Sequence, residues 1–267
     1  MNGTLSYLRQ NKLPHIWCPG CGNGIIMHNI IRAVDELDID PDNTVVISGI
    51  GCSSRAPGYM NFDTLHTAHG RALAFATGVK FANPKLKVIV ISGDGDCSAI
   101  GGNHFIHACR RNIDITLVVV NNNIYGMTSG QYSPLTPTNA WATTAQYGNI
   151  DRPFDLTKLA AASGATYAAR ASTYHVQLMK NYIKAGLENK GFSVVECIST
   201  CPTYFGRKNK RGDAAQMQIW LRDNCEMLKK DVTEYEKPYV LGEFVKTTAP
   251  EYTESYEEVI RKAGGAQ

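Results

Sequence analysis

Hydrophobic positions in the first part of the chain alternate between two periods. Apolar residues recur at helical spacing from Ile26 to Leu37, and the β-branched run from Thr44 to Ile47 is typical of a buried strand. Three more pairs follow, predicted as helices 70–81, 102–110 and 174–188 and strands 86–91, 115–120 and 192–197. Because helices that alternate with strands form parallel sheets, the pattern predicts an α/β fold with helices on both faces.

The alternation stops after Pro202. A basic cluster follows, made of Arg207, Lys208, Lys210 and Arg211, and then a polar, helix-like stretch runs to residue 230. Residues 238–267 show no clear period. We therefore expect one domain over residues 1–206 and an extension over residues 207–267, an irregular C-terminal arm that packs on the domain or on a partner subunit.

Composition narrows the functional class. Hydrophobic residues make up 43% of the 267 residues and charged residues 19%, a balance typical of soluble globular proteins. The net charge of +3 is too small to favour nucleic-acid binding. No apolar run approaches the roughly 20 residues that span a bilayer, and residues 1–10 lack the apolar core of a signal peptide. We expect a cytoplasmic protein that acts on small molecules, without nucleic acid or membrane.

Glycine, asparagine and small polar residues cluster where predicted strands end. Segments 48–52, 92–96, 121–125 and 199–201 each follow a strand directly. Since the carboxyl ends of parallel strands share one edge of the sheet, and ligands bind in the crevice beside it, these segments predict one composite site.

Asp94 and Asn122 are the candidate metal ligands of that site. Asp94 lies between two glycines, where the backbone can turn tightly and bring amides near an anion. Asn122 follows the next strand, so both oxygens should reach the same edge, and magnesium prefers such oxygen donors. Gly-Asp-Gly by itself is common in ordinary turns. Its pairing with the asparagines is what indicates a site.

The pairing of Gly93-Asp94-Gly95 with Asn121-Asn122 resembles the fingerprint of thiamine-diphosphate-binding proteins. Over residues 12–206 the chain is similar to the β subunit of 2-oxoacid:ferredoxin oxidoreductases, in Trp17-Cys18-Pro19-Gly20-Cys21-Gly22, Gly49-Ile50-Gly51-Cys52-Ser53, His69-Gly70-Arg71-Ala72 and Ile124-Tyr125-Gly126-Met127-Thr128. The resemblance implies a thiamine-diphosphate-binding fold. It implies magnesium held by the side chains of Asp94 and Asn122 and the carbonyl of Ile124.

The resemblance also implies which residues contact the cofactor. This predicted cofactor-binding set is Ile50, Gly51, Cys52, Ser53, His69, Gly93, Asp94, Gly95, Asp96, Asn122, Tyr125, Gly126, Met127 and Thr128. Asn123 is predicted to be a turn residue only.

Eight cysteines in a chain without an export signal are not expected to form a disulfide framework. Zinc-ribbon spacing fails, because no second close pair matches Cys18 and Cys21. Thiolates from separate loops suit a [4Fe-4S] cluster instead. By resemblance its ligands are Cys18, Cys21, Cys52 and Cys201. Cys197 is the alternative fourth ligand, although its place inside a predicted strand favours a packed role.

Arg55 and His69 are the candidate catalytic residues. Arginine suits capture of the carboxylate of a 2-oxo acid, although an arginine that only faces solvent is the competing interpretation of Arg55. The resemblance favours a site role for His69, and His66 is a weaker candidate. His104 and His107 are expected to be structural.

The resemblance implies CoA-dependent oxidative decarboxylation of a 2-oxo acid with ferredoxin as electron acceptor. Within the family, segment 51–59 is most similar to the enzymes specific for 2-oxoglutarate, then to those for branched-chain 2-oxo acids, then to those for pyruvate. No carboxylate lies in a recognisable context for the glutamate that activates thiamine, and the resemblance implies that a separate α subunit supplies it. A thiamine decarboxylase without a cluster and a non-catalytic metal-binding scaffold subunit are the competing hypotheses.

Overall fold

The computed structural model describes residues 3–264. The helices are α1 (Asn23–Glu36), α2 (Ala72–Ala82), α3 (Gly102–Arg111), α4 (Leu156–Ala162), α5 (Val176–Glu188), α6 (Ala214–Asp223) and α7 (Tyr252–Lys262). The strands are β1 (Thr44–Ser48), β2 (Asp63–His66), β3 (Lys87–Gly93), β4 (Thr116–Asn121), β5 (Tyr167–Ser172), β6 (Ser193–Ile198), β7 (Cys225–Met227) and β8 (Tyr239–Lys246).

All eight strands form one sheet in the order β2-β1-β3-β4-β6-β5-β8-β7. Strands β1 to β6 run parallel, β8 pairs antiparallel with β5, and β7 pairs parallel with β8. The predicted α/β fold with a mostly parallel sheet is confirmed. No helix in the described part of the chain is both long and apolar enough to cross a membrane.

Helices cover both faces of the sheet, as predicted. Residues of α1 and α5 pack with Ile89 and Ile91 of β3 in one core. Residues of α2, α3 and α4 pack with Val88 and Val90 of the same strand in a second core. Because successive strand residues point to opposite faces, a strand covered on both sides is hydrophobic throughout.

The C-terminal residues are more regular than their sequence pattern indicated. Strand β8 extends the main sheet, and α6, β7 and α7 complete this region. The sequence of this region shows no clear alternation because β8 buries only Leu241 and Gly242, and Gly242 has a φ of 157°. A separate role for residues 207–267 stays a prediction.

Strand β1 lies between β2 and β3, so the chain leaves β1 toward one side of the sheet and returns on the other. Such a change of direction opens a crevice between the loops at the carboxyl ends of the two diverging strands. The loops after β1 and β3 are those that carry the glycine-rich segments.

Candidate functional site

A cleft of about 460 Å³ opens at the carboxyl ends of β1, β3 and β4. Every member of the predicted cofactor-binding set lines it, together with Ile124 and Val120. The topology therefore brings the separate motifs to one place, although their contacts with a cofactor stay predictions. The sequence did not indicate Val120, because it looks like any other buried strand residue.

Asp94 is buried beneath this cleft, and burial raises the pKa of its carboxyl to about 7. The Ser133 hydroxyl donates a hydrogen bond to Asp94 Oδ2 at 2.6 Å. Asn122 is also buried, and its Oδ1 accepts a hydrogen bond from the Ile124 amide at 3.2 Å. A buried carboxylate is costly without a compensating charge, so this carboxylate and amide oxygen suit a hard cation.

The three consecutive asparagines have different roles. The Asn121 amide donates to Glu196 Oε1 at 2.7 Å, and Arg170 holds the other oxygen of Glu196, also at 2.7 Å. Asn123 adopts the left-handed conformation with a φ of 63°, as expected of a turn residue. Asn121 and Asn123 thereby fix the backbone on either side of Asn122, which lines the cleft.

Position 95 accommodates only glycine unless its neighbours rearrange. A Cβ there would lie 2.1 Å from the ring of Tyr125. The Tyr125 hydroxyl donates to the carbonyl of Gly95 at 2.9 Å. The loop after β3 is thereby held against the segment after β4, which carries Asn122 and Ile124.

The carboxylate of Asp96 binds three loops together. Its Oδ1 accepts hydrogen bonds from the amides of Gly70, at 2.7 Å, and Ile50, at 3.2 Å, and lies 2.7 Å from His69 Nδ1. Its Oδ2 accepts from the Ser92 hydroxyl. Asp96 lines the cleft as predicted, and it also has an internal structural role that the sequence did not indicate.

Two of the four candidate cluster cysteines lie beside the cleft. A Cβ on Gly126 would lie 3.4 Å from Cys52 Sγ and 3.7 Å from Cys201 Sγ, so both sulfurs flank this glycine. Burial, followed by the negative charge of the neighbouring cysteines, raises the pKa of Cys52 to about 12. A metal cluster would offset that cost, because it binds thiolates.

Two hydrogen bonds hold the loop of Cys18 and Cys21 against the segment that carries Cys201. The Gly22 amide donates to the carbonyl of Thr200 at 3.2 Å, and the Thr200 hydroxyl donates to the carbonyl of Gly20 at 3.0 Å. Among residues 3–264, no three His, Cys, Asp or Glu side chains lie close enough to hold a single metal ion. A [4Fe-4S] cluster held by thiolates from these loops stays a prediction.

Three of the remaining cysteines are packed in the interior. Cys197 is buried in the core with α1 and α5, and Cys97 and Cys109 are buried in the opposite core. Of the two candidate fourth ligands, Cys201 is the one that lies beside Cys52.

The candidate catalytic residues lie in different surroundings. His69 lines the cleft with a side chain that is 29% exposed. Arg55 is exposed outside the cleft, so its predicted contact with substrate depends on how the site is completed. His66 Nδ1 lies 3.2 Å from the Ser48 hydroxyl.

The chain is similar to known proteins in both sequence and fold. The thiamine pyrophosphate enzyme family, C-terminal TPP binding domain, matches residues 49–197. The chain is 52% identical to the 2-oxoglutarate synthase subunit KorB of Methanocaldococcus jannaschii, covering 98% of each protein. It is 48% identical to the subunit of the same name from Methanothermobacter thermautotrophicus, covering 99% of this chain and 94% of that protein.

Among solved structures, the fold matches a 2-oxoglutarate:ferredoxin oxidoreductase from Magnetococcus marinus with 2-oxoglutarate, coenzyme A and succinyl-CoA bound. The TM-score is 0.88 at 35% identity, covering 98% of this chain and 91% of that chain. With near-complete coverage at this identity, the chain belongs to the family of 2-oxoglutarate synthase KorB subunits, whose thiamine pyrophosphate-binding domain it contains.

Proposed function

We propose that this chain is the β subunit of a 2-oxoglutarate:ferredoxin oxidoreductase. The reaction converts 2-oxoglutarate and CoA to succinyl-CoA, carbon dioxide and one proton, and passes two electrons singly to ferredoxin. The observation that carries the proposal is that Cys52 lines the same cleft as Asp94 and Asn122. An electron carrier held there would lie beside the reacting carbon.

The donors of the cleft support thiamine diphosphate with magnesium. Asp94 and Asn122 would hold the metal through side-chain oxygens, and Ile124 through its carbonyl. Gly93 and Gly95 allow the backbone to approach the diphosphate. Bound thiamine diphosphate supplies the nucleophilic carbon and stabilises the electron pair that remains when carbon dioxide leaves.

Cys18, Cys21, Cys52 and Cys201 would hold a [4Fe-4S] cluster. Cys201 is buried, whereas Cys18 is exposed, so the four cysteines reach from the interior to the surface. A cluster held by them would supply one-electron transfer between the cleft and the surface.

His69 would donate or accept a proton at the cleft. Asp96 Oδ1 lies 2.7 Å from its Nδ1, so Nε2 is the ring nitrogen that would meet substrate. Arg55 would pair with a substrate carboxylate in the assembled complex.

The site needs a second subunit. Its described lining contains two carboxylates, Asp94 and Asp96, and no glutamate that could activate the aminopyrimidine. Large apolar side chains are exposed, with Met127 48% exposed at the cleft, and Tyr147 and Ile150 104% and 91% exposed further along the chain. Such surfaces mark protein interfaces, which supports an α subunit that covers the cleft and supplies the glutamate.

The decisive experiment is anaerobic coexpression with the α subunit and dye-linked oxidation of 2-oxo acids in the presence of CoA. We expect 2-oxoglutarate to give the highest kcat/KM, and this chain alone to be inactive. A preference for a branched-chain 2-oxo acid or pyruvate would correct the substrate. Absence of iron would favour a non-redox decarboxylase, and absence of bound thiamine diphosphate a scaffold subunit.

Cys201→Ser tests the cluster ligands in the same complex, with Cys197→Ser as its matched control. The first should lose cluster iron and the absorbance of the cluster. The second should keep both, because Cys197 is packed in the core with α1 and α5. The reverse result would make Cys197 the fourth ligand.

A further inference from the structure

We infer that the surface formed by exposed Cys18 and the basic segment 207–211 is the docking site of a small acidic one-electron carrier protein. The inference rests on the proposed function and goes beyond it, because it assigns a surface and its residues. The basic segment lies outside every motif of the thiamine site.

The basic segment is anchored directly to a candidate cluster ligand. The Gly206 amide donates to the carbonyl of Cys201 at 2.8 Å, and the Arg211 amide donates to the carbonyl of Gly206 at 2.9 Å. Asn209 Oδ1 accepts from the Trp141 amide at 2.8 Å, which fixes the middle of the segment. The positive charges are therefore held at a defined place relative to Cys201.

The loop of Cys18 packs against the far end of the same region. A Cβ on Gly20 would lie 2.1 Å from Ala214 Cβ and 3.5 Å from Pro202, so the loop touches residues on both sides of the basic segment. Cys18 is exposed, whereas Cys21 and Cys52 are partly covered and Cys201 is buried. The solvent-facing corner of the four-cysteine group thus lies beside the basic segment.

The four cations of the segment are not equivalent. Lys208 lies over the ring of Trp141 at 4.8 Å, and Arg211 over the ring of Trp220 at 4.0 Å. Arg207 and Lys210 are exposed, and neither forms an ion pair with any residue in the described part of the chain. These two charges are available to a partner, and they can be changed without breaking a stacking contact.

An acidic carrier fits this arrangement better than a neutral one. Charges around a contact accelerate association and orient the partners, and their effect falls as salt screens them. A carrier steered to Arg207 and Lys210 would bring its own redox centre next to the exposed corner at Cys18.

The test is Arg207→Glu/Lys210→Glu in the assembled complex, with Arg261→Glu/Lys262→Glu as the control. The control reverses two exposed charges on α7, whose Tyr252 packs against Phe81 of α2. Three quantities are measured: kcat/KM for an acidic ferredoxin at low and high salt, the 2-oxoglutarate-dependent reduction of a small viologen dye, and equilibrium binding of ferredoxin to the immobilised complex.

We expect the test variant to lose about tenfold or more in kcat/KM for ferredoxin at low salt, with weaker binding and a smaller salt dependence. Dye reduction should stay unchanged, and the control should resemble the unmodified complex in all three measurements. Equal losses in both variants, or unchanged ferredoxin binding in the test variant, would overturn the docking site. So would failure of the test variant to assemble with the α subunit, because the segment would then face that subunit.

The same data separate this inference from the proposed function. If the unmodified complex reduces neither dye nor ferredoxin with any 2-oxo acid, the proposed function has failed. If it reduces both and the charge reversal has no effect on ferredoxin, only the docking site has failed.

Discussion

Ser133 reaches the candidate magnesium ligand from outside the recognised motifs. Its hydroxyl is buried and donates to Asp94 Oδ2, so it orients that carboxylate. Groups that orient a metal ligand commonly contribute roughly 10- to 100-fold to metal affinity.

We therefore expect Ser133→Ala to weaken magnesium-dependent binding of thiamine diphosphate by roughly 10- to 100-fold while the cluster is retained. Calorimetric titration of the complex stripped of thiamine measures this. Thr138→Ala is the control, because Thr138 is exposed in the same segment, lies outside the cleft and donates its hydroxyl to the carbonyl of Asp151. Equal affinity for both variants would show that Ser133 does not position Asp94.

The residues of the cleft were predictable where local sequence decides the backbone, and not where contacts are distant. Gly93, Asp94 and Asn122 stand at strand ends, so their shared edge follows from the topology alone. Ser133 is 39 positions from its partner, in a segment with no periodic pattern. The role of Glu196 could not be predicted for another reason. It occupies a strand position, and its hydrogen bond with Asn121 is evident only once the two strands lie side by side.

At the scale of elements, helix α2 contains a glycine that its structure does not require. Gly78 is exposed in the middle of the helix, and a Cβ there would meet no atom within 4 Å. We expect Gly78→Ala to stabilise the chain by about 0.5–1 kcal/mol, because alanine loses less backbone freedom in a helix.

Thermal or urea unfolding of the complex measures that effect, with Gly70→Ala as the contrast. Gly70 precedes the helix with a φ of 68°, and a Cβ there would lie 2.7 Å from the amide nitrogen of Gly101. That variant should lose stability and disturb the hydrogen bond to Asp96. If Gly78→Ala also destabilised the chain, this face of α2 would be packed against another surface and not exposed.

The elements with strong periodicity were predicted within a few residues, and those without it were missed. Strand β5 consists largely of alanine, arginine and serine, so nothing in its composition favours a strand. Its position is set by neighbours, since it is paired on both sides, to β6 and to β8. Tertiary pairing can impose a strand on a sequence whose local preference is weak.

At the scale of the whole molecule, β8 protects the sheet from an open edge. Removal of residues 207–267 would leave β5 unpaired on one side, although Ala168 and Ala169 are fully buried. We expect a chain that ends at residue 206 to aggregate, because an exposed strand edge with apolar side chains pairs with other copies.

Size-exclusion chromatography and thermal unfolding of the truncated and full chains test this expectation. A truncated chain that stays monomeric and unfolds at the temperature of the full chain would contradict it. That result would make residues 1–206 an independent domain, with residues 207–267 as an accessory extension.

The carboxylate of Asp96 would couple the binding of the two proposed cofactors. It holds the amide of Ile50, two residues before Cys52, and it lies two residues after Asp94 on its own loop. Ordering either loop therefore orders part of the other, and such coupling is reciprocal. In the proposed function, thiamine diphosphate should therefore tighten binding of the cluster by the same free energy with which the cluster tightens binding of thiamine diphosphate.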